Sequence, residues 1–308
     1  MDADHKRSRK ARRAAVAVLA AASILLLARS SSADPVLWST LIDPSPGTAQ
    51  IGFLSQQNSS PETEAIDDFV IDPASFPQGF NVKRVLGQVL ITDPDATIDN
   101  LSIEFYRTFP VDSDLTRTPG NTRTNGPSDD GQEFAEFSTG DGTLSLKQSV
   151  QASNFVLDTT IEPGADSRGV LETDDTTGTL LLLDMKLDSP LALAATNPFP
   201  GDPATHYWLE MTAQLSSGEF YWVQGIIPRS VPGVAPLTGE DRQTWFTTIP
   251  GLTPDFRRVS DIINGMDNTA APAFNSSMEI RGDAVPEPAT LLLMGAGLLG
   301  LSRVRALR

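Results

Sequence analysis

Thr205 to Leu215 reads THYWLEMTAQL, Ser216-Ser217-Gly218 follows, and Glu219 to Ile227 reads EFYWVQGII. Two runs rich in aromatic and β-branched residues, separated by a small polar turn with a glycine, carry the signature of a β-hairpin. Within the first run Tyr207, Leu209, Met211, Ala213 and Leu215 fall on alternate positions, which lays them on one face of a strand. Pro228 stops the second run. Upstream, LSIEFY at 101–106 repeats the alternation, with Leu101, Ile103 and Phe105 directed to a core and Glu104 to water. Further apolar or alternating runs occur at Val36 to Leu41, Gln50 to Leu54, Ala65 to Ile71, Phe80 to Ile91, Val150 to Ile161 and Gly178 to Leu187. The continuous stretch Leu180 to Leu183 suits a strand buried on both faces, and a final strand is expected at Ala273 to Arg281. Many short strands, punctuation by 23 Gly and 23 Pro, and little helical periodicity predict an all-β fold. The expected architecture is a single antiparallel β-sandwich of jelly-roll type. Its long connections are Thr108 to Glu133 and the Pro-rich Asp188 to Ala204 and Pro228 to Arg242.

Charge divides the 308-residue chain into three parts. Met1 to Ala33 holds seven basic and two acidic residues, net +5, and Val285 to Arg308 holds three arginines and one glutamate, net +2. The 251 residues between hold 13 basic and 36 acidic residues, net −23. Such a body is unsuited to binding nucleic acid, and with no cysteine there is no disulfide, thiolate metal centre, cysteine nucleophile or lipoprotein anchor.

Both ends read as addresses. Lys6, Arg7, Arg9, Lys10, Arg12 and Arg13 precede the apolar run Ala14 to Ala28, and Ser31-Ser32-Ala33 offers small residues for signal peptidase, so residues 1–33 are expected to be a signal peptide. An uncleaved anchor is the alternative, but the run is shorter than the roughly 20 apolar residues that span a bilayer. Residues 34–284 then form the ectodomain. At the far end Val285-Pro286-Glu287-Pro288 leads into the apolar ATLLLMGAGLLGLS at 289–302, followed by Arg303, Arg305 and Arg308. The prolines forbid continuation of a preceding strand. A short apolar helix with cationic residues behind it would hold an orientation in a membrane.

This order of Pro-Glu-Pro, apolar run and terminal arginines, over residues 285–308, resembles the PEP-CTERM sorting signal of Gram-negative bacteria that make exopolysaccharide. The resemblance implies recognition by an exosortase at Pro286, Glu287 and Pro288, transient insertion of the apolar segment in the inner membrane, and Arg303 and Arg305 as part of a stop-transfer cluster. Cleavage near the Pro-Glu-Pro and release to the cell surface or matrix would follow. The body is similar to that of single-domain PEP-CTERM proteins at Asp67-Asp68-Phe69, Tyr207-Trp208-Leu209 and Tyr221-Trp222.

The chemistry-bearing residues point to no reaction. His206 is the one histidine after residue 33, without a second to complete a zinc set, and no Gly-x-Ser-x-Gly elbow is present. No catalytic residue and no cofactor is expected. Asp67-Asp68, Asp129-Asp130 and Asp174-Asp175 read as solvated surface charge, although paired carboxylates could also serve a glycosidase. Asp93, Asp95 and Asp99 offer hard oxygen ligands to a structural Ca²⁺, without the glycine and distal glutamate of an EF-hand. Trp208, Trp222 and Trp245 would stack on sugar rings if exposed, and otherwise pack in the core. Arg281-Gly282-Asp283 matches an adhesion tripeptide by chance. The expected function is that of a non-enzymatic exported protein of the cell surface or exopolysaccharide matrix. A carbohydrate-binding module and a polysaccharide-processing enzyme are the alternatives.

Overall fold

The computed structural model describes residues 34–286 apart from 43–49, 58–62, 72–74, 109–111, 114–125, 129–131, 162–170, 173–175, 195–204, 226–243, 248–255 and 259–274. The described elements are all strands: β1 (Val36–Ser39), β2 (Gln50–Leu54), β3 (Glu64–Ile71), β4 (Phe80–Ile91), β5 (Ile98–Arg107), β6 (Ala135–Ser138), β7 (Leu144–Ile161), β8 (Leu171–Glu172), β9 (Thr176–Leu193), β10 (Thr205–Leu215), β11 (Phe220–Val223), β12 (Thr244–Thr247), β13 (Arg257–Arg258) and β14 (Met278–Ala284). The chain divides into Met1–Pro35, of which only Asp34 and Pro35 are described, and Val36–Arg308.

Two sheets face each other. One contains the antiparallel series β2-β11-β4-β9, and the other β3-β10-β5-β6, with β12 and β13 continuing beyond β3. The links β2/β3, β4/β5 and β10/β11 each carry the chain from one sheet to the other. That alternation is the jelly-roll form of the sandwich, and it bears out the expected all-β architecture.

The expected hairpin at 205–227 does not form. Both runs are strands, but β10 pairs with β3 and β5 in one sheet while β11 pairs with β2 and β4 in the other. The turn 216–218 rounds a corner of the sandwich. It travels with a second corner, 92–97, which links β4 to β5. The Ser216 N–H donates to Thr97 O at 3.0 Å and the Thr97 N–H to Ser216 Oγ at 2.9 Å. Ser217 Oγ donates to Asp93 Oδ2 at 2.6 Å, and the Glu219 N–H to Thr92 Oγ1 at 2.9 Å. Gly218 sits at φ 72°, where a Cβ would press on Asp93, so this corner favours glycine. Alternation along a strand is the same whether its successor pairs beside it or crosses to the facing sheet, which is why the sequence pattern misleads here.

The main core lies between the sheets. Leu101, Ile103 and Phe105 of β5 and Tyr207, Leu209, Met211, Ala213 and Leu215 of β10 meet Val85, Val89, Leu183, Met185, Trp222 and Ile280 across the gap. Glu104 is half-buried and accepts a hydrogen bond from Tyr106 instead of lying open to water. A second core has a different origin. β7 pairs with β9 along Leu144–Leu157, breaks register around Ala152, and bends at Asn154, φ 55°, to pair with β2 in parallel. The pairs β4-β9, β9-β7, β7-β2, β2-β11 and β11-β4 close a ring around Leu54, Leu90, Leu157, Leu180, Tyr221 and Val223. Burial of Leu180 against this cluster, and of Leu181 and Leu183 in the main core, accounts for the unbroken apolar run.

Two further boundaries move. β9 continues through Pro190 to Leu193, so the Pro-rich connection starts later than Asp188. Pro190 lies where the register with β4 breaks between Val82 and Arg84, a position that tolerates its missing N–H. The last strand runs to Ala284 and not to Arg281.

Asp67 and Asp68 are not solvated surface charge: they are 0% and 1% exposed. In β3 the odd positions Ala65, Phe69 and Ile71 enter the main core, and Asp67 shares their register. Its carboxylate accepts the Ser276 N–H, just ahead of β14 in the facing sheet, at 2.5 Å and the Asp68 N–H at 3.0 Å. Ser55 ties the sheets similarly, donating to Met211 O at 2.7 Å and accepting the Ala65 N–H at 2.9 Å. Asp67→Ala strips the acceptor from two buried N–H donors, and should lower the unfolding free energy by about 2 kcal/mol, read from the midpoint of urea denaturation.

Candidate functional site

The strand that leads to the Pro-Glu-Pro, β14, is built into the sandwich. β14 lies between β1 and β4, with Glu279 opposite Ser39 on one side and Leu86 on the other. Its far half follows β4 to the end of the register, Gly282 opposite Val82, Asp283 opposite Asn81 and Ala284 opposite Phe80. At the bulge between Arg281 and Gly282 the backbone lies so close to Asn81 O that any Cβ would collide with it. Lys83, extruded at the matching break in β4, forms an ion pair with Asp283, and Arg281 pairs with Glu279, which also accepts from Ser39 Oγ at 2.9 Å. Beyond the strand, the Val285 N–H donates to Gly79 O at 3.0 Å. Pro286 follows and is exposed.

The anchor at Gly79 is invisible to a motif search. Its one trace in the sequence is the short stretch 75–79, whose glycine adopts φ 94° at the close of a turn in which the Gly79 N–H returns to Phe76 O. Arg281-Gly282-Asp283 is a stretch of internal strand with both charges paired, not a displayed tripeptide. Of the residues expected to form the sorting signal, Pro286 stands at the edge of the described chain. Glu287, Pro288, Arg303 and Arg305 lie outside the described residues.

The ring candidates do not gather at a surface. Trp208 is 1% exposed, packs with Ile66, Tyr106 and Phe256 on the outer side of the second sheet, and donates its indole N–H to Thr108 Oγ1 at 3.3 Å. Trp222 is 0% exposed in the main core, and its N–H donates to Ser277 O at 3.0 Å. Sugar stacking needs an open ring face, and neither indole has one; core packing, the alternative weighed for them, is where they stand. Trp245 lies on β12 opposite Ile66, with its side chain outside the described residues.

Asp93, Asp95 and Asp99 are close in sequence but not convergent. Asp93 accepts from Ser217 Oγ and from the Asp95 N–H, and these two bonds hold its carboxyl below the usual value of 3.8. Asp99 accepts from Thr97 Oγ1 at 2.8 Å. Among the described residues no group of three or more His, Asp or Glu is placed to hold a metal ion. Asp93 instead braces the two corners. His206 lies in β10 opposite Val70, its side chain outside the described residues, as are Asp129-Asp130 and Asp174-Asp175.

A sandwich whose last described strand runs straight to an exposed Pro286, the first residue of the Pro-Glu-Pro, defines a folded domain that leads into a C-terminal address. Residues 284–306 match the PEP-CTERM protein-sorting motif, so the chain carries at this end a signal for export and surface sorting. No curated protein and no solved structure matches the chain. Among the described residues no helix is long and apolar enough to cross a membrane.

Two measurements follow from the buried side chains. Trp222→Ala should cost about 3–5 kcal/mol of stability, visible in thermal unfolding, whereas an indole spent on ligand binding would leave the melting temperature near that of the unsubstituted protein. Burial pushes the Tyr106 phenol well above its usual value of 10.0, and the Glu210 and Glu104 charges push the same way. The folded state therefore favours the neutral ring, a contribution intact below pH 10 and lost as pH rises through the folded value. A phenolate absorbance titration of the native protein against Tyr106→Phe should show this ring ionising only together with unfolding.

Proposed function

We propose that this is a non-enzymatic exported protein whose jelly-roll domain is carried across the inner membrane by an N-terminal signal peptide, held transiently by its C-terminal apolar segment, and released by an exosortase to the cell surface or exopolysaccharide matrix. The observation that carries the reading is the junction at Ala284 to Pro286. The last described strand ends where the sorting motif starts, so removing the tail from Pro286 onward takes none of the described strands from the sandwich. Entry and exit of the domain also agree with a single membrane-facing end. β1 begins beside Arg281 and β14 ends beside Phe80, so both run out at the same end of the sheet. The corners at 92–97 and 216–219 lie at the opposite end of β4, beside Ile91. The acidic body, net −23, would keep the released domain soluble among anionic polymers and open to bridging by divalent cations.

Replacing Pro286, Glu287 and Pro288 together by alanine should retain the protein, with Arg303 to Arg308 still attached, in the membrane fraction of the native producer. The unsubstituted chain should be recovered outside the cell, starting at Asp34 and shortened at its C-terminus. Identical release and shortening of both forms would refute the reading.

A further inference from the structure

The fold limits where the tail can be cut. A cleaving enzyme generally takes its substrate as an extended strand, pairing main-chain groups of the residues on either side of the bond that breaks. Those groups are already committed through the length of β14. Glu279 to Arg281 are flanked by β1 and β4, and Gly282 to Ala284 keep the β4 ladder to its last residue. Val285 adds its N–H to Gly79 O. Three features make this stretch hard to peel: Gly282 is buried against the Asn81 carbonyl, Asp283 is paired with Lys83, and the inward Met278 and Ile280 belong to the main core. Pro286 has no N–H to give and is exposed, so the ladder ends there.

We infer that the folded domain itself sets the upstream limit of processing: the bond that breaks lies on the C-terminal side of Pro286, and the released protein keeps β14, Val285 and Pro286. In that step the peptide C–N bond breaks, the carbonyl carbon takes the oxygen of water, and the departing amine takes the proton. The inference rests on the proposed exosortase processing for the existence of the cut, and on β14 for its position. The Lys83–Asp283 pair and the Gly79 anchor are positioning features of the substrate. They act by withholding residues 279–285 from a cleft.

The test is the C-terminal mass of the protein released by its native producer, with limited proteolysis of the purified full chain by proteinase K as a second readout that needs no exosortase. Released protein ending at Pro286 or later, and proteinase K removing the tail without cutting between Met278 and Val285, support the inference. A released chain ending at Val285 or earlier overturns it while leaving exosortase processing intact. A chain still ending at Arg308 outside the cell instead removes the processing reading, and the inference with it. A variant with a short Gly-Ser spacer between Val285 and Pro286 sharpens the result. Proteinase K should gain cuts within the spacer and still leave β14 whole, whereas new cuts upstream of Val285 in the spacer variant, with circular dichroism unchanged, overturn the protection assigned to the ladder.

Discussion

Two chain corners, 92–97 and 216–219, cross between the sheets side by side, and the architecture follows from their joint crossing. β4 and β11 are neighbours before the fold-over, and β5 and β10 are neighbours after it, so a two-stranded ribbon is bent across the edge of the sandwich. Bending a ribbon exposes main-chain groups that a straight ladder would satisfy, and these must find partners nearby. Here Thr92, Thr97, Ser216 and Glu219 provide them, and the side chains of Ser217 and Asp93 add a bond between the corners. Once the ribbon is bent, β10 must seat between β3 and β5, and β11 between β2 and β4. The inward faces of both then meet in one core.

The interior is not purely apolar: some of its polar members join the two sheets, and others tie together parts of the first. Asp67 and Ser55 bridge from the β3 and β10 side to the start of β14 and to the link between β2 and β3. Gln88 holds Ile42 through both main-chain groups, and Thr40 accepts the Met278 N–H at 3.0 Å. Each of these residues is buried and hydrogen-bonded, as such groups must be if they are not to cost stability. Asp67 and Ser55 fix the relative placement of the sheets more sharply than interchangeable aliphatic contacts could, while Gln88 and Thr40 tie neighbouring parts of the first sheet together. They also secure the segment that follows β1 and the one that leads into β14.

The placement of β14 ties folding to delivery. The last strand of the chain is an internal strand, bounded by the first strand and by β4, so the first sheet is incomplete until residue 284 has emerged. The pairing of β1 with β14 joins residues at least 240 positions apart, and contacts of that kind form late because loop closure must come first. A domain of this construction suits translocation in an unfolded state, with completion on the far side while the tail is still behind it. The sorting motif then lies immediately outside a finished sheet.

Much of the strand content was legible because period-two alternation reports directly which side chains are to be buried; β4 matches its run to the residue, and β10 and β2 do so as well. The sorting motif was legible too, since its order of prolines, apolar run and arginines is a pattern along the chain and needs no fold. Pairing was not. The run holding Phe220 to Val223 read as the second strand of a hairpin, and nothing local said that its neighbours were β2 and β4 instead of β10. The chain alone determined which segments are extended, which face of each is apolar, and that both ends are apolar and cationic with a sorting motif at the second, because these depend on residue type and spacing. Tertiary structure alone decided that β10 and β11 part company, that Asp67 lies in the core, that Trp208 and Trp222 are closed to solvent, and that the last strand runs to the edge of the sorting motif. Those facts depend on hydrogen bonds and contacts between residues far apart in the chain, and alternation carries no record of which strand lies alongside which.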